Sequence, residues 1–242
     1  MSLVLAHRGA CGYAPENTME AFRLAKEQGV DGFELDVHFS KDGHLVVIHD
    51  ETVDRTTNGK GRVWDMTLAE LQALDACAGK EAYKGAKIPT LAQVLELIQG
   101  TDLIINIEIK TDKIFYPGIE KAVLDLVKEM GLEKQIIYSS FNHHTLLKVR
   151  ELDKDAKLGM LFADVLVTPW KYASQYLDVQ YLHPMMANVY VPNFAEDARA
   201  AGYRVNAWTI NDKETMAHCV AHDITIITNY PDVAVAIRNS AK

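Results

Sequence analysis

Eight short runs rich in β-branched and other apolar residues recur from end to end of this 242-residue chain, and amphipathic stretches separate most of them. The strand-like runs are residues 3–6, 32–37, 103–109, 135–139, 158–162, 179–182, 204–209 and 224–228. Helical periodicity marks 19–28, 91–98, 119–130, 144–152, 194–201, 213–221 and 233–239. Asn17 with Glu20, and Thr90 with Gln93, read as helix starts of the capping-box kind. Gly29, Gly131 and Gly202 fall where helices should stop. Strands that alternate with helices build a parallel sheet, and eight such units at this length match a (β/α)8 barrel, the TIM-barrel architecture. An open doubly wound sheet is the alternative, but no Gly-rich phosphate loop follows the first run.

One connection departs from the alternation. After the second run comes the turn signal Lys41-Asp42-Gly43 and then strand-like residues 45–48. A hairpin centred on that turn places His49 roughly opposite Asp36. Residues 50 to about 89 then form a long excursion with turn-rich Thr56-Thr57-Asn58-Gly59-Lys60-Gly61 and a short helix opened by Thr67 with Glu70. This reads as an insertion after the second strand of a single domain spanning 1–242, with Trp64, Leu68, Leu71 and Leu74 packing it onto the barrel.

Charge and composition narrow the partners. Lys plus Arg number 25 and Asp plus Glu 33, a net charge of −8, which argues against nucleic acid or an anionic membrane as a general partner. Cys11, Cys77 and Cys219 are odd in number and lack metal-type spacing, so they read as free thiols of a reducing compartment, with Cys11 inert. No apolar run approaches the ~18 residues of a membrane span. Residues 1–6 are too short for a signal peptide, so a cytoplasmic location is expected.

The chemistry starts at Glu34 and Asp36. Two apart in a strand, they point to one face, where burying like charges is costly without a cation. The third run repeats the pattern: Asn106, Glu108 and Lys110 alternate with Ile105, Ile107 and Ile109. In a barrel these two strands are neighbours, so three carboxylates converge with no cysteine nearby. Such an oxygen-rich set suits Mg²⁺ or Ca²⁺. A carboxylate–Lys110 ion-pair network is the structural alternative. His7 and Arg8 end the first strand, where barrel active sites concentrate, and His49 arrives at the same rim through the hairpin. Two imidazoles are a plausible acid–base pair, and Arg8 and Lys110 supply fixed positive charge for phosphate oxygens. Together these groups suit phosphodiester cleavage.

The chain resembles the glycerophosphodiester phosphodiesterases. The resemblance rests on His7-Arg8-Gly9-Ala10, Pro15-Glu16-Asn17-Thr18, Glu34-Leu35-Asp36-Val37, Lys41-Asp42-Gly43 and His49-Asp50. It continues through Asp54-Arg55-Thr56-Thr57-Asn58-Gly59, Ile88-Pro89-Thr90-Leu91, Asn106-Ile107-Glu108-Ile109-Lys110, Val205-Asn206-Ala207-Trp208-Thr209 and Thr228-Asn229-Tyr230-Pro231-Asp232. These segments run in order over nearly the whole chain, with little of the likeness in residues 158–193. The resemblance implies a phosphodiesterase-type barrel with the 50–89 insertion and a divalent metal on Glu34, Asp36 and Glu108. It further implies His7 and His49 as acid and base, and Arg8 and Lys110 as phosphate ligands.

The expected reaction is hydrolysis of small glycerophosphodiesters to sn-glycerol 3-phosphate and an alcohol. Direct attack by water and prior attack by the glycerol 2-hydroxyl both stay open, as does homo-oligomerisation. Lysophospholipid cleavage would need an apolar mouth for an acyl chain. A barrel that binds ligand without turnover, or a sugar-phosphate isomerase or lyase on the same fold, is disfavoured by the paired histidines and the ordered segments. Asn206 and Trp208 share a face, where Trp208 either lines the substrate pocket or packs the core. His183 either reaches the rim or is structural. Asp50 and Glu51 are candidate partners for the metal or His49, and His38, His44, His143, His144, His218 and His222 read as surface or loop residues.

Overall fold

A computed structural model describes residues 2–241. Among the described residues nine strands are formed: β1 (Val4–His7), β2 (Gly32–Phe39), β3 (Leu45–Val47), β4 (Ile104–Ile109), β5 (Ile136–Ser140), β6 (Leu158–Phe162), β7 (Tyr181–Pro184), β8 (Arg204–Ala207) and β9 (Thr225–Thr228). The helices are α1 (Met19–Glu27), α2 (Leu68–Ala73), α3 (Leu91–Glu96), α4 (Ile119–Glu129), α5 (His143–Leu152), α6 (Pro169–Tyr176), α7 (Phe194–Ala200), α8 (Lys213–Ala221) and α9 (Pro231–Ser240). All strands but β3 pair in parallel, and β1 pairs with both β2 and β9, which closes an eight-stranded barrel. The open-sheet alternative is thereby excluded. β3 is the antiparallel return of the expected hairpin, pairing Val37 with Val47 and Phe39 with Leu45.

The barrel is held by its outward strand faces. Phe33, Leu35 and Val37 of β2 point into the layer beneath the helices, while Glu34, Asp36 and His38 take the opposite face. From the helix side, Ile119, Val123 and Val127 of α4 bury one stripe at four-residue spacing. Thr90 and Gln93 form the anticipated capping box at α3, as do Thr67 and Glu70 at α2. α6 is an addition to the expected helices; Pro169 opens it, and only Pro169 and Ala173 of it are fully buried. At α1 the expected cap is displaced by one residue. Thr18 accepts the Ala21 amide, and Asn17 adopts a left-handed backbone instead.

The excursion after β3 has a small core of its own. Val46 and Ile48, from the hairpin, pack with Val53, Val63, Leu71, Ala76 and Ile88. Leu68 and Leu74 flank that cluster, whereas Trp64 is 39% exposed and meets Tyr116 with ring centroids 5.1 Å apart. The segment therefore attaches through the outer face of β3 more than by lying on the barrel as expected. Among the described residues, no helix is long and apolar enough to cross a membrane.

Candidate active site

Strand register brings the acidic residues together. Glu34 pairs with Asn106 and Asp36 with Glu108 across β2 and β4, while His7 of β1 pairs with Glu34. Oxygens of Glu34, Asp36 and Glu108 lie within 4.8 Å of one another, and all three residues are buried. The surrounding cations are few. Lys110 Nζ donates to Glu108 Oε1 at 2.7 Å, and Arg8 Nε stands 3.3 Å from Asp36 Oδ2. Asn17, read in sequence as a helix cap, donates its side-chain amide to Asp36 Oδ2 at 2.9 Å.

The electrostatics leave this cluster under-compensated. Burial, then Asp36, raises Glu34 well above the usual carboxylate range. Burial likewise pushes Glu108 up to about 7, although Lys110 pulls the other way. Burial would raise Asp36 too, but Arg8, His49, Lys110 and the Asn17 amide outweigh it and hold that acid at about 2. Asp36 Oδ1 has no hydrogen-bond partner although it is buried. Three convergent carboxylates, an orphaned oxygen and an all-oxygen donor set fit a hard divalent cation.

Backbone geometry fixes the neighbouring residues. Arg8 has a left-handed backbone with φ 54°, a costly state for a side-chain-bearing residue. Its amide is held by both the Glu34 carbonyl (2.9 Å) and Glu34 Oε2 (3.1 Å). Gly9 follows at φ +77°, and a Cβ there would come within 2.6 Å of the Ala21 carbonyl carbon. Only glycine lets this turn press onto α1 and aim Arg8 at the acids.

The two predicted histidines end up on the same mouth with different partners. His7 Nδ1 meets Asn229 Oδ1 at 2.7 Å, and its Nε2 stands 3.9 Å from Glu34 Oε2. Burial, with Arg8 beside it, pushes the His7 imidazole down to about 4. His49 lies one residue past strict opposition to Asp36, since the Ile48 amide bonds the Asp36 carbonyl at 3.1 Å. His49 Nδ1 meets Asp50 Oδ1 at 2.6 Å. His38, expected at the surface, is 1% exposed, with one ring nitrogen 2.9 Å from the Tyr116 hydroxyl and the other 3.1 Å from the His49 carbonyl. His143 is likewise engaged, 2.9 Å from the Leu161 carbonyl. Glu51 turns away to Lys113, at 3.1 Å.

A small cavity of about 50 Å³ is lined on one side by His7, Arg8, Glu34, His49, Asn106 and Glu108, and on the other by Phe141, Leu161, Trp208 and Ile227. Trp208 thus lines the cavity; its Nε1 donates to the His183 carbonyl at 2.8 Å, and its ring meets Phe141 edge-on at 5.4 Å. His183 does not reach this rim. It is fully buried, with Nε2 3.0 Å from Asn206 Nδ2, and a Cβ on Gly159 would come within 2.4 Å of its ring. A larger cavity, about 340 Å³, opens at the opposite end of the barrel among strand starts such as Leu5, Ile104, Tyr181 and Arg204. It lacks both histidines and the acid cluster, so size does not locate the chemistry here.

The glycerophosphoryl diester phosphodiesterase family matches residues 7–233, a span that contains His7, Arg8, the acid cluster, His49 and Lys110. The chain belongs to that family. A glycerophosphodiester phosphodiesterase of Caldanaerobacter subterraneus subsp. tengcongensis is 44% identical over 236 residues, covering 97% of this chain and 96% of its own. One from Bacillus altitudinis is 38% identical over 246 residues, covering 100% of both. Among solved structures, an Oleispira antarctica phosphodiesterase in complex with the product sn-glycerol-3-phosphate superposes with TM-score 0.91 at 31% identity, covering 99% of this chain and 97% of that one. The barrel of this family member is therefore an enzyme scaffold.

Proposed function

We propose that this protein is a single catalytic domain, with 50–89 as an insertion, that hydrolyses small glycerophosphodiesters to sn-glycerol 3-phosphate and an alcohol. The observation that carries the reading is the convergence of His7, Arg8, Glu34, Asp36, His49, Glu108 and Lys110 at one end of the barrel. Glu34, Asp36 and Glu108 would hold a divalent ion of the Mg²⁺ or Ca²⁺ class. When bound, that ion supplies Lewis-acid stabilisation of charge on phosphoryl oxygens. Arg8 and Lys110 orient the phosphate and offset the charge that builds on it in the transition state. Trp208 and Phe141 give the opposite wall an apolar surface for the carbon skeleton.

The partners of the histidines suggest a division of labour. His7 faces a neutral amide oxygen and burial keeps it uncharged, so its free Nε2 takes the proton of the attacking oxygen. His49 Nδ1 is held by the Asp50 carboxylate, which fixes the ring, so its Nε2 is the atom that donates to the leaving alcohol oxygen. The test is a coupled assay of glycerol 3-phosphate release from a glycerophosphodiester panel, with EDTA and then with Mg²⁺, Ca²⁺ or Mn²⁺ restored. Release that depends on added metal supports the reading, and no release from any diester rejects it.

A second reading has one observation in its favour. Phe115, Val165 and Val167, on the loops after β4 and β6, are 76%, 56% and 91% exposed at the catalytic end. Such side chains suit an acyl chain, so lysophosphatidylcholine belongs in the panel. A faster rate on it than on glycerophosphocholine would favour lysophospholipids as the substrate.

A further inference from the structure

Glu16 and Arg55 bear on neither the acid cluster nor the cavity, yet they join its two sides. Starting from His49, Nδ1 meets Asp50 Oδ1 at 2.6 Å. Arg55 then donates from Nε to Asp50 Oδ2 at 2.7 Å and from Nη2 to Oδ1 at 3.0 Å. The same guanidinium donates from Nη1 to Glu16 Oε2 at 2.7 Å and from Nη2 to Glu16 Oε1 at 2.8 Å. Glu16 Oε1 also accepts from Arg8 Nη1 at 2.9 Å, and Arg8 Nε reaches Asp36 Oδ2 at 3.3 Å. From Asp50 to Asp36 the charges alternate in sign, and Glu16 touches a guanidinium on each side.

Two features separate this path from ordinary surface pairing. Isolated exposed pairs contribute little to stability, so they rarely constrain anything. Arg55 instead binds two carboxylates through two forks, a geometry that a planar guanidinium meets and an ammonium cannot. The path also bridges parts of the chain with no strand pairing between them. Glu16 stands in the β1–α1 loop, 39 residues from Arg55 in the segment after β3. Few apolar contacts could set that spacing, because the Arg55 side chain is 49% exposed.

We propose that Glu16 and Arg55 are positioning residues: they lock His49, through Asp50, and Arg8 into one geometric unit, so that the proton donor and the phosphate ligand keep a fixed separation. This rests on the roles given to His49 and Arg8 under the proposed function. The clamp also gives the inserted segment a task in catalysis, since Arg55 is its contribution to the site.

The experiment compares metal-loaded wild type with Arg55→Met, Arg55→Lys, Glu16→Gln and the Arg55→Met/Glu16→Gln double variant, on glycerophosphocholine, with thermal melts alongside. Loosening a group one step behind the chemistry typically costs 10–100-fold, so Arg55→Met is expected to lower kcat by about tenfold or more with KM nearly unchanged. Glu16→Gln should also raise KM, because Arg8 loses its outer anchor. The double variant should fall little below the worse single one, as expected of residues acting as a unit. Arg55→Lys, which keeps the charge and one carboxylate contact, should recover part of the loss. A folded Arg55→Met with kcat within about twofold of wild type, or losses that multiply in the double variant, overturns the proposal. Should Arg55→Met fail to fold, Glu16→Gln and Arg55→Lys decide by the same kcat and KM criteria. The His49 ring-nitrogen NMR signals report the linkage even in protein that turns over no diester: movement in Glu16→Gln supports the clamp, and unchanged signals overturn it. Wild-type inactivity would sink the functional reading, whereas unaffected variants of an active enzyme sink this inference alone.

Discussion

Asp36 and Glu108 are register partners across the β2–β4 pair, so adjacent parallel strands hold two carboxylates side by side at the mouth of the barrel. Glu34 makes a third on the same face. Parallel pairing cannot stagger them apart, and the nearby Arg8 and Lys110 do not suppress the repulsion, since Glu34 and Glu108 both resist ionisation.

Divalent ion should therefore stabilise the fold as well as activate it. At an ion concentration about 100 times its dissociation constant, binding adds about 2.7 kcal/mol. For a chain of this size that is roughly 5–10 °C in Tm. Thermal melts in EDTA and in Mg²⁺ or Ca²⁺ check this, and Glu108→Gln should abolish most of the shift. An equal shift in that variant would remove Glu108 from the ligand set.

Leaving-group chemistry separates the two histidines. A choline or glycerol alkoxide needs a proton as it departs, whereas nitrophenolate does not. His49→Ala is expected to cost on the order of 10²–10⁴ in kcat on glycerophosphocholine and far less on a nitrophenyl ester of glycerol phosphate. His7→Ala should cost similar factors on both. Equal sensitivity of both variants to the leaving group would reject the assignment of His49 as the acid.

Much of the site is readable from strand periodicity alone. Residues two apart share a face, so Glu34 with Asp36 and Asn106 with Glu108 reveal themselves once the strands are recognised. The hairpin turn at Lys41-Asp42-Gly43 carries His49 to the rim by counting, and the count is wrong by only one residue. Asn17 is illegible for a physical reason. Its type and spacing suit a cap, and only the left-handed backbone at φ 55° turns its amide toward Asp36. His38 is missed because a histidine without a motif gives no sign of burial, although its even spacing from Glu34 and Asp36 placed it on their face.

Cys11 sits in the same loop as Arg8 but is not a nucleophile. Burial, with Glu16 adding to it against the pull of Arg8, raises its thiol to about 12. At pH 8 almost none of it is thiolate, the reactive form. Iodoacetamide at that pH should leave activity intact, and Cys11→Ala should keep kcat within about twofold, as fits a side chain outside the acid–base set. Rapid inactivation traced to Cys11 by mass spectrometry would contradict this.

His183 makes the fold sensitive to acid independently of the catalytic groups. Unfolded, its imidazole takes a proton near 6.5; folded, burial pushes it down to about 3. Between those values the unfolded chain binds more protons, so the contribution is complete above about pH 6.5 and is lost as pH falls toward 3. The slope approaches ~1.4 kcal/mol per pH unit for this one group. Urea unfolding at pH 7, 6 and 5 measures it. Wild type should lose stability more steeply than His183→Gln, whose side-chain oxygen can still accept from Asn206. The two curves should converge as the medium becomes more acidic. Parallel curves would mean that the histidine is protonated within the fold, and its close fit against Gly159 would then have to relax to admit a partner for the charge.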